Sequence, residues 1–176
     1  GVLHLSLNTR YRFRDHTLGA VAEAARAFTA ARKDANFLVF LPSHAYLARF
    51  YEAFSALLPQ DARIVVQGRK MDDSAREEFL LNFSPEPKGL TVGLAVLGGI
   101  FSESIDLSAE RLSGAVIVGV GLPQVGVERD ALRDRYDAAY GDGYAYAYLY
   151  PGLGRVLQAA GRIIRTPEDR GMLLLI

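Results

Sequence analysis

The stretch Phe37–Leu47, FLVFLPSHAYL, changes its physical character halfway along. Phe37 to Leu41 is an unbroken apolar run, the pattern of a strand covered on both faces, which we read over Asn36–Leu41. Pro42 and Ser43 then break the run, and Ser43 is a preferred N-cap whose hydroxyl can accept a free helix N–H. Beyond it Leu47, Phe50, Tyr51, Phe54, Leu57 and Leu58 recur at a helical period. The segment therefore reads as a buried strand, a sharp break and an amphipathic helix.

Working outward, the same alternation repeats. Strands are expected at Val2–Leu7, Arg63–Val66, Leu90–Leu97, Ala115–Val120 and Met172–Ile176. Helical periods run from His16 to Arg32, and through Met71, Ala75, Phe79 and Phe83 with Asp72 or Asp73 as cap. Further helices are expected at Gly126–Ala139 and Pro151–Ile164, and Asn8–Asp15 reads as a polar loop bearing arginines. Apolar strands alternating with helices predict an α/β domain, a mainly parallel sheet flanked by helices. In such sheets ligands gather beyond the carboxyl ends of the strands.

A chain of 176 residues, half of them apolar, suits one compact domain. No apolar run approaches the roughly 18 to 20 residues of a membrane span, so no membrane partner is expected. The chain has no cysteine, which excludes disulfides, zinc fingers and iron–sulfur ligation within it. His4, His16 and His44 are scattered, and no metal site is expected. Zero net charge argues against a free-standing grip on nucleic acid. The chain begins without Met and ends inside an apolar run, as a domain excised from a larger protein would.

QAAGRIIR, Gln158–Arg165, sorts two chemistries onto one helix. At about 100° per residue, Gln158, Arg162 and Arg165 fall within about 60° of one another. Leu153, Val156, Leu157, Ala160, Ile163 and Ile164 are expected on the opposite, buried side. Guanidinium forks suit phosphate oxygens, though a solvated basic face has the same pattern. Just upstream, Tyr140, Tyr144, Tyr146, Tyr148 and Tyr150 could stack on unpaired bases. Their period-two spacing before Pro151 and Gly152 reads instead as packing that sets the angle of the next helix.

QAAGRIIR resembles the final Q-x-x-G-R-x-x-R motif of superfamily 2 helicases, in the form found in XPD-like and DinG-like DNA helicases. FLVFLPSHAYL is similar to the segment that opens their second motor domain. LGGIFSESIDL, Leu97–Leu107, resembles their G-G-x-F-x-E-G-I-D motif, and AVIVGVGLP, Ala115–Pro123, the strand after it. The matches keep the family's order and cover the chain from about Asn36 onward; residues 1–35 match loosely. The sequence departs at Ser104, where the family usually has glycine. If the backbone there needs positive φ, serine costs roughly 1 kcal/mol or more.

The resemblance implies a three-layer RecA-like fold and one role, the C-terminal motor domain of an ATP-dependent DNA helicase. It implies Arg162 and Arg165 as catalytic arginines closing onto ATP, with Gln158, Asp106 and Glu103 near the nucleotide or bracing the loop beside it. Ser43, Gln67, Arg69, Gly98 and Gly99 become candidates for a single-stranded DNA track. ATP and Mg²⁺ would be held mainly by an N-terminal motor domain, because this chain has no G-x-x-x-x-G-K-[ST] loop and no acidic magnesium box. Any iron–sulfur cluster would lie elsewhere in the parent protein, and a cytoplasmic, nucleoid-associated location is implied. Two other readings stay open from the residues alone: a non-motor α/β domain binding a ligand or protein, and an RNA-directed motor.

Overall fold

The computed structural model describes residues 2–3, 7–103, 111–161, 163 and 171–176. Among the described residues there are six strands, β1 (Val2–Leu3), β2 (Ala35–Leu41), β3 (Arg63–Val66), β4 (Leu90–Val96), β5 (Gly114–Ile117) and β6 (Met172–Leu175). They form one sheet in the order β1-β6-β5-β2-β4-β3, and every pairing is parallel. The expected α/β architecture is therefore present.

The helices are α1 (Arg14–Thr29), α2 (His44–Ser55), α3 (Asp73–Leu81), the single turn α4 (Ile100–Glu103), α5 (Val127–Tyr140) and α6 (Tyr150–Ala160). Strand side chains alternate between two cores, as a period of two requires. Phe37, Val39 and Leu41 of β2 meet Val21, Ala22 and Ala25 of α1 and Phe50 and Phe54 of α2. Leu38 and Phe40 face the other way, onto Phe79 of α3, Phe101 of α4 and Ala159 of α6. Three layers result, with α1 and α2 on one face and α3, α4 and α6 on the other. Both faces of β2 are covered, which is why its sequence is an apolar run without alternation.

Local signals act where expected. Ser43 Oγ accepts from Tyr46 N at 3.2 Å, and Asp72 Oδ1 accepts from Ala75 N at 2.8 Å; such caps contribute about 1 kcal/mol each. No described helix is long and apolar enough to cross a membrane.

Two expectations need correction. The tyrosine-rich stretch is itself helical, and Ala145–Leu149 forms a π-turn that runs straight into α6. Tyr150 N donates to Ala145 O, one residue further back than in an α-helix. Pro151 has no N–H to give Ala147 O, and Arg129 Nη1 of α5 donates to that carbonyl instead, at 3.4 Å. The wide turn thus accommodates a proline inside a helix. Of the tyrosines, Tyr148 is buried, and its hydroxyl donates to Asp130 of α5. Tyr140, Tyr144, Tyr146 and Tyr150 remain substantially exposed.

The second correction concerns the buried stripe of α6. Leu157 is 72% exposed and Leu153 41% exposed, whereas Gly152, Ala159 and Ile163 are buried. Gly152 sets this rotation: a Cβ there would lie 2.6 Å from Val120 Cγ1, so only glycine lets the helix approach so closely.

Candidate functional site

Parallel pairing of β2 with β4 puts Leu41 opposite Val96. Ser43 and the Gly98–Gly99 turn therefore emerge side by side at the carboxyl edge of neighbouring strands. The connections beyond them part company: α2 leads outward to β3, while the chain after β4 crosses to β5 on the far side of β2. Such a divergence opens a crevice at the sheet edge. Ser43 is half-buried at the N-terminus of the 12-residue helix α2, whose free N–H groups and positive dipole end suit an anion.

Gln67 and Arg69, after β3, have different circumstances. Gln67 is 6% exposed, and its Oε1 accepts from Val96 N at 2.8 Å. Its side-chain nitrogen lies beside the position a Cβ on Gly99 would take, 3.2 Å away. Gln67 is thus a brace beneath the turn. Arg69 is exposed and close enough to His44 to act on it. Partial burial first, and the Arg69 charge second, hold the His44 imidazole below its ordinary pKa.

The turn itself depends on Gly98, whose φ is +75°. Arg155 of α6 packs against it and donates from Nη1 to Gly121 O at 2.7 Å. This arginine joins the turn after β4 to α6, whose last residues Gln158–Ala160 open the QAAGRIIR stretch, a contact that residue spacing does not reveal. Gln158 is exposed on α6. The side chain of Glu103 and all of Asp106, Arg162 and Arg165 lie outside the described residues.

A further set of residues gathers at the same edge. The loop before α1 is pinned by Thr17 Oγ1 donating to Asn8 O at 3.1 Å and by Arg14 Nε donating to Thr9 O at 3.1 Å. The Arg14 guanidinium lies 5.8 Å from the ring centres of both Tyr11 and Tyr46. Burial pushes the Tyr46 phenol up, against the opposing pull of Arg14 and Arg49. Among the described residues, no cluster of His, Cys, Asp and Glu could hold a metal ion.

Comparison with known proteins agrees with this fold. A regulator of telomere elongation helicase 1 homolog from Culex quinquefasciatus is 28% identical over 97% of this chain, which spans 19% of that protein. An apo XPD structure superposes with a TM-score of 0.72 at 17% identity, over 99% of this chain and 34% of its own. A second XPD helicase structure gives 0.72 at 19% identity, over 99% of this chain and 30% of its own. At these identities the structures speak for the fold. The sequence model of the helicase C-terminal domain matches residues 27–176. Sequence match and sheet topology agree, and the chain belongs to the helicase C-terminal domain family.

Proposed function

We propose that this chain is the second motor domain of an ATP-dependent DNA helicase, working against a first motor domain of the same polypeptide. The observation that carries the reading is the arrangement of α6. Its Gly152–Ala159 side is sealed against the sheet, while Gln158 at its carboxyl end is exposed and leads into Arg162 and Arg165. An amide so placed suits half of a nucleotide site whose other half lies on another domain. Bound Mg²⁺-ATP would supply the energy of phosphoanhydride cleavage. Arg162 and Arg165 would engage its phosphates when the domains close and release them after hydrolysis, with Asp106 and Glu103 steadying the loop beside them.

Single-stranded DNA is the proposed partner at the carboxyl edge. Ser43 and the α2 N-terminus would take a phosphate, the Gly98–Gly99 backbone would approach the strand closely, and Arg69 would add a charge. Gln67 would serve by holding the turn in place. Movement along the strand then requires that these contacts differ in affinity between the closed and open states. Arg155, a residue of α6 that packs on the turn, would let the two sites sense each other.

ATP turnover by the full-length protein, measured with and without single-stranded DNA, tests the proposal. Stimulation by DNA in the full chain, with no turnover by the 176-residue domain alone, is the expected result. Turnover by the isolated domain would overturn the shared-cleft reading, and a full-length ATPase indifferent to DNA would overturn the strand reading.

A further inference from the structure

The carboxyl edge carries more basic and aromatic surface than the Ser43 and Gly98–Gly99 contacts use. A groove of about 1110 Å³ is lined by Arg10, Tyr11, Arg12, Arg14, Leu122 and Tyr144, among others, and none of the described residues lining it is a carboxylate. A second hollow of about 340 Å³ shares Tyr11, Arg12 and Arg14 with the first and continues to Ser43, Tyr46 and Arg49. The two form one trough from the N-terminus of α2 to Tyr144. In a chain of zero net charge, this is a local concentration of positive charge.

We propose that the Arg10–Arg14 segment, a 3-10 turn over Tyr11–Phe13 that runs into α1 where the sequence had suggested a loop, is a second grip on single-stranded nucleic acid, carrying the strand from the α2 N-terminus past Tyr11 to Tyr144. The inference rests on the reading that this domain holds a single strand at Ser43 and the glycine turn.

Three observations converge on such an occupant. The loop sequence RYRFR alternates guanidinium and aromatic groups, the two chemistries a single strand needs for phosphates and for bases. Tyr11 is 86% exposed and Tyr144 53% exposed, so both rings can meet a base face. Among the described residues, Arg10, Arg12 and Arg14 have no carboxylate partner, and the one acid in the trough, Asp15, is paired with Arg49 at 2.7 Å. The anchored backbone at Asn8 and Thr9 means the loop need not be ordered when the strand arrives.

Charge alone would also suit an acidic peptide, but the interleaved rings and the helix N-terminus favour a phosphodiester strand. The test uses the full-length protein and a fluorescent oligothymidylate without nucleotide, titrated over a range of KCl concentrations. Arg10→Ala and Arg12→Ala should each make the plot of log K against log salt shallower by about 0.7, one phosphate contact apiece. Tyr11→Ala and Tyr144→Ala should each weaken binding about fivefold or more, with Phe restoring it. An abasic oligonucleotide of equal length should not distinguish the tyrosine variants from the parent. These side chains are largely exposed, so thermal midpoints should stay in place; Arg12→Gln serves as a check if Arg12→Ala lowers its midpoint. Unchanged affinity and slope in all four alanine variants, while Ser43→Gly still weakens binding, would overturn the groove and leave the strand reading standing. Failure of the parent to bind the oligonucleotide would overturn both. Weakened binding of polyglutamate in the arginine variants, with oligothymidylate binding intact, would assign the groove to an acidic protein partner and overturn the proposal.

Discussion

Arg155 of α6 packs so closely on Gly98 that a Cβ at position 98 would stand 2.7 Å from both Cδ and Nε of the arginine. The guanidinium cannot simply swing aside without leaving Gly121 O, to which Nη1 donates at 2.7 Å. A backbone conformation that only glycine adopts readily and a side chain anchored at its far end hold each other in place.

Gly98→Ala should accordingly cost about 1–3 kcal/mol of stability, from positive φ together with the displaced arginine. Urea unfolding of the domain measures this. A loss below about 0.5 kcal/mol would mean that the turn relaxes freely and that Arg155 does not clamp it. Arg155→Ala in the same background should then add little, because the two changes break one contact.

The arginines of QAAGRIIR make a sharper prediction about chemistry. Arg165→Ala in the full-length protein should lower DNA-stimulated ATP turnover at least about tenfold, or about 1.4 kcal/mol of barrier. DNA binding without nucleotide should hardly change. Arg162→Lys should also fail, since an ammonium cannot reproduce a two-pronged contact with phosphate oxygens. Normal turnover in both variants, at unchanged thermal stability, would make these residues a solvated basic face.

His44 gives a dependence on pH. Its folded-state pKa lies below its ordinary 6.5, so between the two values the unfolded chain binds more protons than the folded one. Stability then rises with pH through that window, and the contribution is fully present once pH exceeds the unfolded pKa. It is lost as pH falls from about 6.5 through the folded value. The urea midpoint of the parent should decline on acidification more than that of His44→Gln. Equal declines would show that His44 is not the group responsible.

Much of the fold was legible because it rests on local rules. The strand Arg63–Val66 was read to the residue and Asn36–Leu41 to within one, since an apolar run bounded by breakers leaves little choice. The caps at Ser43 and Asp72 follow from side-chain geometry within four residues. What escaped depends on contacts between distant segments. The side chain of Gln67 is committed to Val96 N, 29 residues away, and only the register of β3 on β4 brings them together. The rotation of α6, which exposes Leu157, is set by Gly152 against Val120, and periodicity along one helix cannot see that neighbour. The trough around Arg12 is assembled from the loop before α1, the start of α2, the segment after β5 and the tyrosine helix. Before folding, RYRFR is no more than a basic loop.

The π-turn at Ala145–Leu149 has a geometric consequence for the whole α5–α6 arm. A wide turn holds one more residue than an α-turn, and one residue of α-helix corresponds to about 100° of rotation. The extra residue therefore acts as a clocking spacer between Tyr144, which borders the proposed strand groove, and Gln158, which faces the proposed nucleotide. Deleting any one residue from this turn would leave the helix continuous and its composition almost unchanged. It would also swing Tyr144 around the axis, away from the Tyr11 and Arg12 with which it now lines one groove. The segment can accept many substitutions, but its length is locked in phase with the sheet.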